Sequence, residues 1–211
     1  GRMFVVKISP HEIGVRSQEF GFLGAKGVVP KDFDKPGWYR SIWFVDRWDR
    51  FDKTVHALRL TGDPGERPPL QIKSKDGYDV TVNVRVKYRL MPGEAHLLLK
   101  KLGPSRSNYE RILENEAIDA CRIEFGEMET EHFYNPERRH QAADDIKTKL
   151  QNNLAARHLE VLDILISSVN FDPRYEAKIK QKKLADQDVE VSISRAEASK
   201  FKGDTLNVKA Q

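Results

Sequence analysis

Residues 70–90, LQIKSKDGYDVTVNVRVKYRL, carry the clearest structural signal in the chain, that of a β-hairpin. The dipeptide Asp76-Gly77 is a preferred tight turn between two strands. Beyond it, apolar side chains occupy every second position from 80 to 90, with polar side chains between them. Because successive side chains of a strand point to opposite faces, this alternation predicts a sheet with one buried face and one solvated face.

Two helices and another strand are predicted after the hairpin. Apolar residues at helical spacing predict a helix from Ser107, with Glu110 completing a capping box, to Gly126. Asn135-Pro136 predicts the start of a second helix. The buried face expected for this helix consists of Ala142, Ala143, Ile146, Leu150 and Leu154. Residues 159–171 are rich in Val, Ile and Leu and predict a strand.

The N-terminal region predicts further strands, at residues 4–8 and 13–16, joined into a hairpin by the turn-like residues 9–12.

A long charged helix is predicted from Asp172-Pro173, ending near Gly203-Asp204. Its composition turns to Lys, Gln, Asp, Glu and Ala. Apolar residues recur every seven positions at Ala177, Leu184, Val191 and Ala198. Gln187 and Ser194 occupy the positions that a coiled coil would fill with apolar partners. A weak coiled coil and a solvated single helix are both compatible with this pattern.

The charge balance favours an ordinary mixed surface over the alternative of a patch for anionic lipid or nucleic acid. Lys and Arg number 36 against 32 acidic residues, a net charge of +4, and the two signs are interspersed. A nucleic-acid partner is therefore not expected, since such binders concentrate cations on one face. The single Cys121 excludes an internal disulfide, and no run of about 18 apolar residues is present to span a membrane.

No constellation typical of an enzyme is found. Gly21, Gly24 and Gly27 match neither the dinucleotide fingerprint nor a P-loop. The six histidines are scattered without metal-ligand spacing. Cys121 has no base near it in sequence. We expect no catalytic residue, no cofactor and no metal.

An apolar loop around residue 22 stands out instead. Phe20, Phe22 and Leu23, with Trp38 further on, would be unfavourable if left exposed in water. Packing into the core and contact with a membrane both remain possible. The second has a physical basis, because Trp and Phe favour the bilayer interface.

The chain resembles the SPFH or band 7 family, which includes prohibitins, stomatins and flotillins. Pro36-Gly37-Trp38-Tyr39, followed by residues 42–47 (IWFVDR), is similar to the family's Pro-Gly turn and its aliphatic-aromatic-Asp-Arg segment. Ser74-Lys75-Asp76-Gly77 is similar to its central hairpin. Residues 161–177 are similar to the strand and helix start that lead into its long coiled coil.

Three departures from the family pattern stand out. Trp43 replaces a common proline, Arg157-His158 stands where an aromatic-glycine pair is frequent, and the Pro-rich insert at 62–69 is long. These departures leave the subfamily open.

The resemblance implies an α+β or α/β fold, a twisted, mostly antiparallel sheet with packed helices. It divides the chain into an SPFH domain of two subdomains, a β-rich one at 1–103 and an α/β one at 104–172, and the start of a coiled-coil helix at 173–211. It implies a non-enzymatic scaffold that homo-oligomerises, is anchored in a membrane just before Phe4, and organises a membrane microdomain. The expected partners are further copies of the chain, membrane lipids, and a membrane protease or channel as client. Ala177, Leu184, Val191 and Ala198 would lie on the oligomerisation helix. An alternative is a soluble shell component like the shoulder of the vault particle.

Overall fold

The chain forms two compact units, Gly1–Asn170 and Phe171–Gln211, in the computed structural model. The structure describes residues 3–19, 26–42 and 45–209, with the side chains of all of these except 3, 183 and 197–209. In chain order the described elements are β1 (Met3–Ile8), β2 (Glu12–Gln18), β3 (Gly27–Phe33), β4 (Gly37–Ile42), β5 (Asp46–Asp52), β6 (His56–Leu60), β7 (Leu70–Lys73), β8 (Asp79–Leu90), α1 (Ala95–Leu102), α2 (Arg106–Gly126), a 3₁₀ helix (Thr130–Tyr134), α3 (Pro136–Ala155), β9 (Leu159–Phe171) and α4 (Pro173–Lys209). The predicted α+β class is confirmed.

The strand β8 is the centre of the largest sheet. β6 pairs antiparallel with residues 84–88 of β8, β7 pairs antiparallel with residues 79–82, and β9 also pairs with β8. The predicted hairpin of β7 and β8 is therefore confirmed. The six alternating apolar side chains of β8 are at most 5% exposed: Val80, Val82, Val84, Val86, Tyr88 and Leu90. Burial of this face fixes the register, since a shift by one residue would bury the charged face instead.

The helices α2 and α3 pack on each other and bury their apolar sides. All five residues predicted for the buried face of α3 are buried. Asn135 caps α3 as predicted, because its side chain accepts hydrogen bonds from the backbone of Glu137 and Arg138. The predicted capping box at Ser107 is wrong. Ser105 is the N-cap of α2, and the Glu110 carboxylate accepts hydrogen bonds from Arg106 and from the hydroxyl of Tyr88, on the sheet.

The N-terminal strands form two small sheets. β1 pairs antiparallel with β4, and β2 lies between β3 and β5. The predicted hairpin of residues 4–8 with 13–16 is therefore wrong. Ile8 packs over Gly14, so closely that a methyl group at position 14 would come within 2.5 Å of Ile8 Cδ1. The turn at 9–12 thus folds β1 onto the face of β2, which leaves the edge of β1 free for β4.

The Asp-Gly turn between β7 and β8 is fixed to the connection between α2 and α3. One oxygen of Asp76 accepts hydrogen bonds from the backbone N–H of Thr130 at 2.9 Å and from its hydroxyl at 2.7 Å. The hydroxyls of Thr130 and Ser74, both buried, lie 2.8 Å apart. Burial raises the pKa of Asp76, but these hydrogen bonds outweigh it and leave the pKa below its usual value.

A second polar contact joins β3 to α1, which the sequence analysis did not predict. The Asp32 carboxylate accepts hydrogen bonds from the backbone N–H of Ala95 at 2.7 Å and of His96 at 2.9 Å, and lies 2.7 Å from the His96 ring. These N–H groups belong to the first turn of α1, which has no side-chain cap of its own. Asp32 thus links the sheet of β2, β3 and β5 to the start of α1.

The helix α4 is 37 residues long. Its start agrees with the sequence, because Asp172 accepts a hydrogen bond from the backbone N–H of Arg174 at 2.8 Å. The predicted end at Gly203-Asp204 is wrong, since the helix continues to Lys209. A single glycine inside a helix costs only about 1 kcal/mol relative to alanine, too little to end a long helix alone.

Candidate functional surfaces

The β1–β4 pair presents one face to the outside. Directly paired residues of antiparallel strands share a face, and here Val5 pairs with Arg40 and Lys7 with Trp38. Ile42 lies on the same face, two residues beyond Arg40. We call these five residues, Val5, Lys7, Trp38, Arg40 and Ile42, the outer ribbon face.

The apolar members of the outer ribbon face are strongly exposed. Trp38 is 68% exposed, Val5 59% and Ile42 40%. Along β4, the exposed side chains of Trp38, Arg40 and Ile42 alternate with half-buried Tyr39 and with Ser41, which is 5% exposed. On β4 the exposure therefore belongs to one face of a paired strand, whereas on β1 Phe4, on the opposite face, is also 43% exposed.

The outer ribbon face also carries two cations. Lys7 and Arg40 are both exposed, and the Lys7 ammonium lies 5.7 Å from the centre of the Trp38 ring, within reach of a cation–π interaction. An aromatic cluster packs on the opposite face of the β1–β4 pair. Tyr39 packs against Phe33 and Trp48 with ring centres 5.0 and 5.8 Å apart.

Of the membrane-contact residues predicted from sequence, Trp38 lies on this face. Phe20, Phe22 and Leu23 lie outside the described residues. Sequence reasoning missed Val5 and Ile42, because their place beside Trp38 depends on the pairing of β1 with β4. The sequence of residues 37–42 (GWYRSI) does not alternate between apolar and polar side chains, so it gave no local signal for this face.

The helix α4 carries an apolar stripe that includes the residues predicted from the seven-residue repeat. Leu184 is 53% exposed, Val191 is 47% exposed, and Ala177 is also exposed. The side chain of Ala198 is not among those described. Residues seven apart lie within about 20° of each other around a helix, so Leu184 and Val191 form one stripe.

A second apolar stripe lies on the opposite side of α4, and the sequence analysis missed it. Val189 is 58% exposed and Ile193 is 55% exposed. At about 100° per residue their stripe lies roughly 170° from that of Leu184 and Val191. The two stripes oppose each other and so cancel in the overall amphipathicity of the helix, which is why a search for a single apolar face did not reveal the second one.

The charged groove between β6 and α2 offers little for catalysis. It encloses about 420 Å³ and is lined by Arg59, Glu66, Arg67, Tyr88 and Glu114, among others. Arg59 pairs with Glu66 at 2.7 Å and Arg67 with Glu114 at 3.2 Å, so these charges neutralise each other. The Cys121 thiol is fully buried, and burial raises its pKa to about 12, which keeps it protonated and unreactive at neutral pH.

Comparison with protein families gives a match over nearly the whole chain. The sequence model of the SPFH domain/Band 7 family matches residues 6–200. The chain belongs to this family. No curated protein matches the chain significantly.

The SPFH family consists broadly of membrane-associated scaffolding proteins, in general without enzymatic activity. Within the residues that the structure describes, no helix has both the length and the apolarity needed to cross a bilayer.

The Pro-rich insert, one of the departures from the family pattern, folds back on the sheet. Arg67 donates its backbone N–H to Arg59 of β6 at 3.2 Å, and its carbonyl accepts from Thr61 and Gly62 at 3.1 and 2.8 Å. The insert thereby occupies backbone groups at the end of β6, an edge that could otherwise pair with another chain.

Proposed function

We propose that this SPFH protein is a non-enzymatic scaffold that homo-oligomerises at a membrane and organises a membrane microdomain. The observation that carries the proposal is the outer ribbon face, where Trp38, Val5 and Ile42 are exposed side by side. Their contact with the bilayer interface would remove apolar surface from water. For side chains that are about half exposed, burial stabilises by roughly 1 kcal/mol each.

Flotation with liposomes tests the membrane contact. The variant Val5→Thr/Trp38→Thr/Ile42→Thr keeps the preference for strand while removing the apolar surface. We expect the vesicle-bound fraction to fall more than tenfold, since about 3 kcal/mol is lost. The control is Ile123→Gln/Leu165→Thr, which removes two apolar side chains that are 59% and 47% exposed elsewhere.

Equal flotation of the ribbon variant and the control would reject the ribbon's role, provided that their circular dichroism matches wild type. A further variant, Phe20→Ser/Phe22→Ser/Leu23→Ser, tests the loop predicted from sequence in the same assay. Assembly of the chain without any vesicle binding would instead favour the alternative of a soluble shell component of the vault-shoulder type.

Self-assembly is the second part of the proposal. It is supported by α4, where exposed Leu184 and Val191 face one side while Val189 and Ile193 face the other. A helix with two opposed apolar stripes buries only one of them in a two-stranded coiled coil. It buries both when it has a neighbour on each side. Copies arranged in a row or a closed ring would meet this condition.

The proposed scaffold acts by confining lipids and a client protein within one patch of the membrane. The family resemblance implies that this client is a membrane protease or channel. The proposal also includes a membrane anchor that precedes Phe4 in the full-length protein. Crosslinking in membranes from cells that express the full-length protein, followed by mass spectrometry, tests the client. Recovery of the chain crosslinked only to itself would contradict this part.

A further inference from the structure

The two cations of the outer ribbon face have no acidic partner in the part of the chain that the structure describes. Neither Lys7 nor Arg40 has a carboxylate within 4.0 Å among the residues that the structure describes, whereas most cations on the outer face of the main sheet are paired. On that sheet, Arg59 lies 2.7 Å from Glu66 and Arg89 lies 2.6 Å from Glu160. On the outer ribbon face, therefore, two exposed cations lie beside exposed apolar side chains with no described carboxylate close enough to pair with them.

The cations and the apolar side chains alternate on this face. Lys7 lies across from Trp38, and Arg40 lies across from Val5. All five described side chains of the face are either apolar or cationic, so it contains no carboxylate. A partner that covers the face must therefore present apolar groups and negatively charged groups within a few ångströms of each other.

We propose that the outer ribbon face is a binding site for anionic lipid headgroups and selects negatively charged bilayers over zwitterionic ones. This inference rests on the membrane contact proposed above. Trp38, Val5 and Ile42 enter the boundary between headgroups and acyl chains, while Lys7 and Arg40 meet the phosphate and carboxylate groups of the surface. A free phosphate would satisfy the cations but leave the apolar side chains in water.

The size of the effect follows from the charges. Each lysine or arginine at the surface of an anionic leaflet strengthens binding about fivefold, so two of them give about thirtyfold. Both side chains are exposed, so their attraction is screened by salt over roughly 10 Å. The preference for anionic vesicles must therefore decrease as the salt concentration rises.

The test compares vesicles of phosphatidylcholine alone with vesicles that also contain phosphatidylserine, using the full 211-residue chain. We expect wild type to bind the anionic vesicles about thirtyfold more tightly. In Lys7→Gln/Arg40→Gln, this preference should be lost while weak binding to neutral vesicles remains. Arg111→Gln/Arg122→Gln is the matched control, because it removes two exposed cations from α2 and lowers the net charge equally.

Several outcomes would overturn the inference. Equal binding of wild type to both vesicles would refute the selection of anionic lipid and leave the proposed membrane contact intact. Binding to neither would refute the membrane contact as well. An equal loss of preference in the control variant would assign the effect to net charge rather than to the ribbon. Abolition of binding by millimolar inorganic phosphate at constant ionic strength would point to a site for soluble phosphate.

Discussion

Among the described residues, His158 is the only non-glycine residue with a positive φ, 64°. It stands where the sequence departs from the aromatic-glycine pair frequent in SPFH domains, and the backbone here has the left-handed conformation that glycine adopts freely. The ring offsets part of the strain. Its Nδ1 lies 2.7 Å from the Glu94 carboxylate, next to the start of α1.

Substitutions at position 158 should separate the strain from the hydrogen bond. His158→Gly loses the bond to Glu94 but relieves the strain, so we expect the free energy of unfolding to change by less than about 1 kcal/mol. His158→Ala loses the bond and keeps the strain, and should be less stable than the glycine variant by about 1 kcal/mol. Urea denaturation measures both. Equal stability of the two variants would contradict this explanation.

Asp76 should make stability depend on pH. Its pKa is lowered in the folded chain, so its contribution is present above the unfolded pKa of about 3.9 and is lost as the pH falls through the folded pKa. Asp76→Asn should therefore be less stable than wild type by about 1 kcal/mol at pH 7, and the difference should shrink below about pH 4. Thermal unfolding at a series of pH values measures it.

A difference between Asp76→Asn and wild type that stays constant down to acid pH would show that the charge of Asp76 plays no part. Thr130→Val is the companion variant, because it removes the hydroxyl that donates to Asp76 at 2.7 Å while keeping the backbone donor.

At the scale of the element, α4 determines whether copies assemble. We expect Leu184→Gln/Val191→Gln and Val189→Gln/Ile193→Gln each to raise the concentration needed for assembly, because each pair lies on a different stripe. Glutamine retains the helix propensity. Light scattering and sedimentation of the full chain, and of a version extended beyond Gln211, measure the change.

The control for α4 is Gln181→Ala/Ser192→Ala, which changes two exposed residues that lie roughly midway between the two stripes around the helix. Its assembly should match wild type. If the Val189 variant assembled like wild type while the Leu184 variant did not, α4 would use one stripe only, as in an ordinary two-stranded coiled coil. A wild-type extended chain that stayed monomeric at high concentration would remove the assembly proposal altogether.

At the scale of the whole molecule, Asp32 of β3 links the sheet of β2, β3 and β5 to the start of α1. Its side chain is 5% exposed and binds two backbone N–H groups of α1. Loss of a helix-capping side chain typically costs about 1 kcal/mol. Asp32→Ala should therefore lower the free energy of unfolding by at least this amount. It should also weaken the attachment of β3 to α1.

Hydrogen exchange should locate the effect of Asp32→Ala in β3 and α1, while β8 keeps its protection because its apolar side is buried by the helices. Asp34→Ala, two residues away, is the matched control. Uniform exchange changes over the chain, or equal effects of the two variants, would show that Asp32 is not a specific link between the sheets and α1.

Much of the fold and part of the candidate surfaces could be predicted from the sequence. The hairpin of β7 and β8, the buried face of α3, the strand β9 and the start of α4 all follow from short-range patterns. The division at residues 103 and 172 stays a prediction. On the surfaces, the sequence identified Trp38, Leu184 and Val191 but missed Val5, Ile42, Val189 and Ile193.

The sequence by itself determined the elements whose signals lie within one strand, turn or helix, and through them the SPFH family. Only the tertiary structure decided which strands pair and where α1 begins. The paired residues of β1 and β4 are 29 to 39 positions apart, and α1 is capped by an aspartate 63 residues away. Such contacts depend on how the chain closes its loops and buries its apolar faces, and no local pattern of residues encodes that choice.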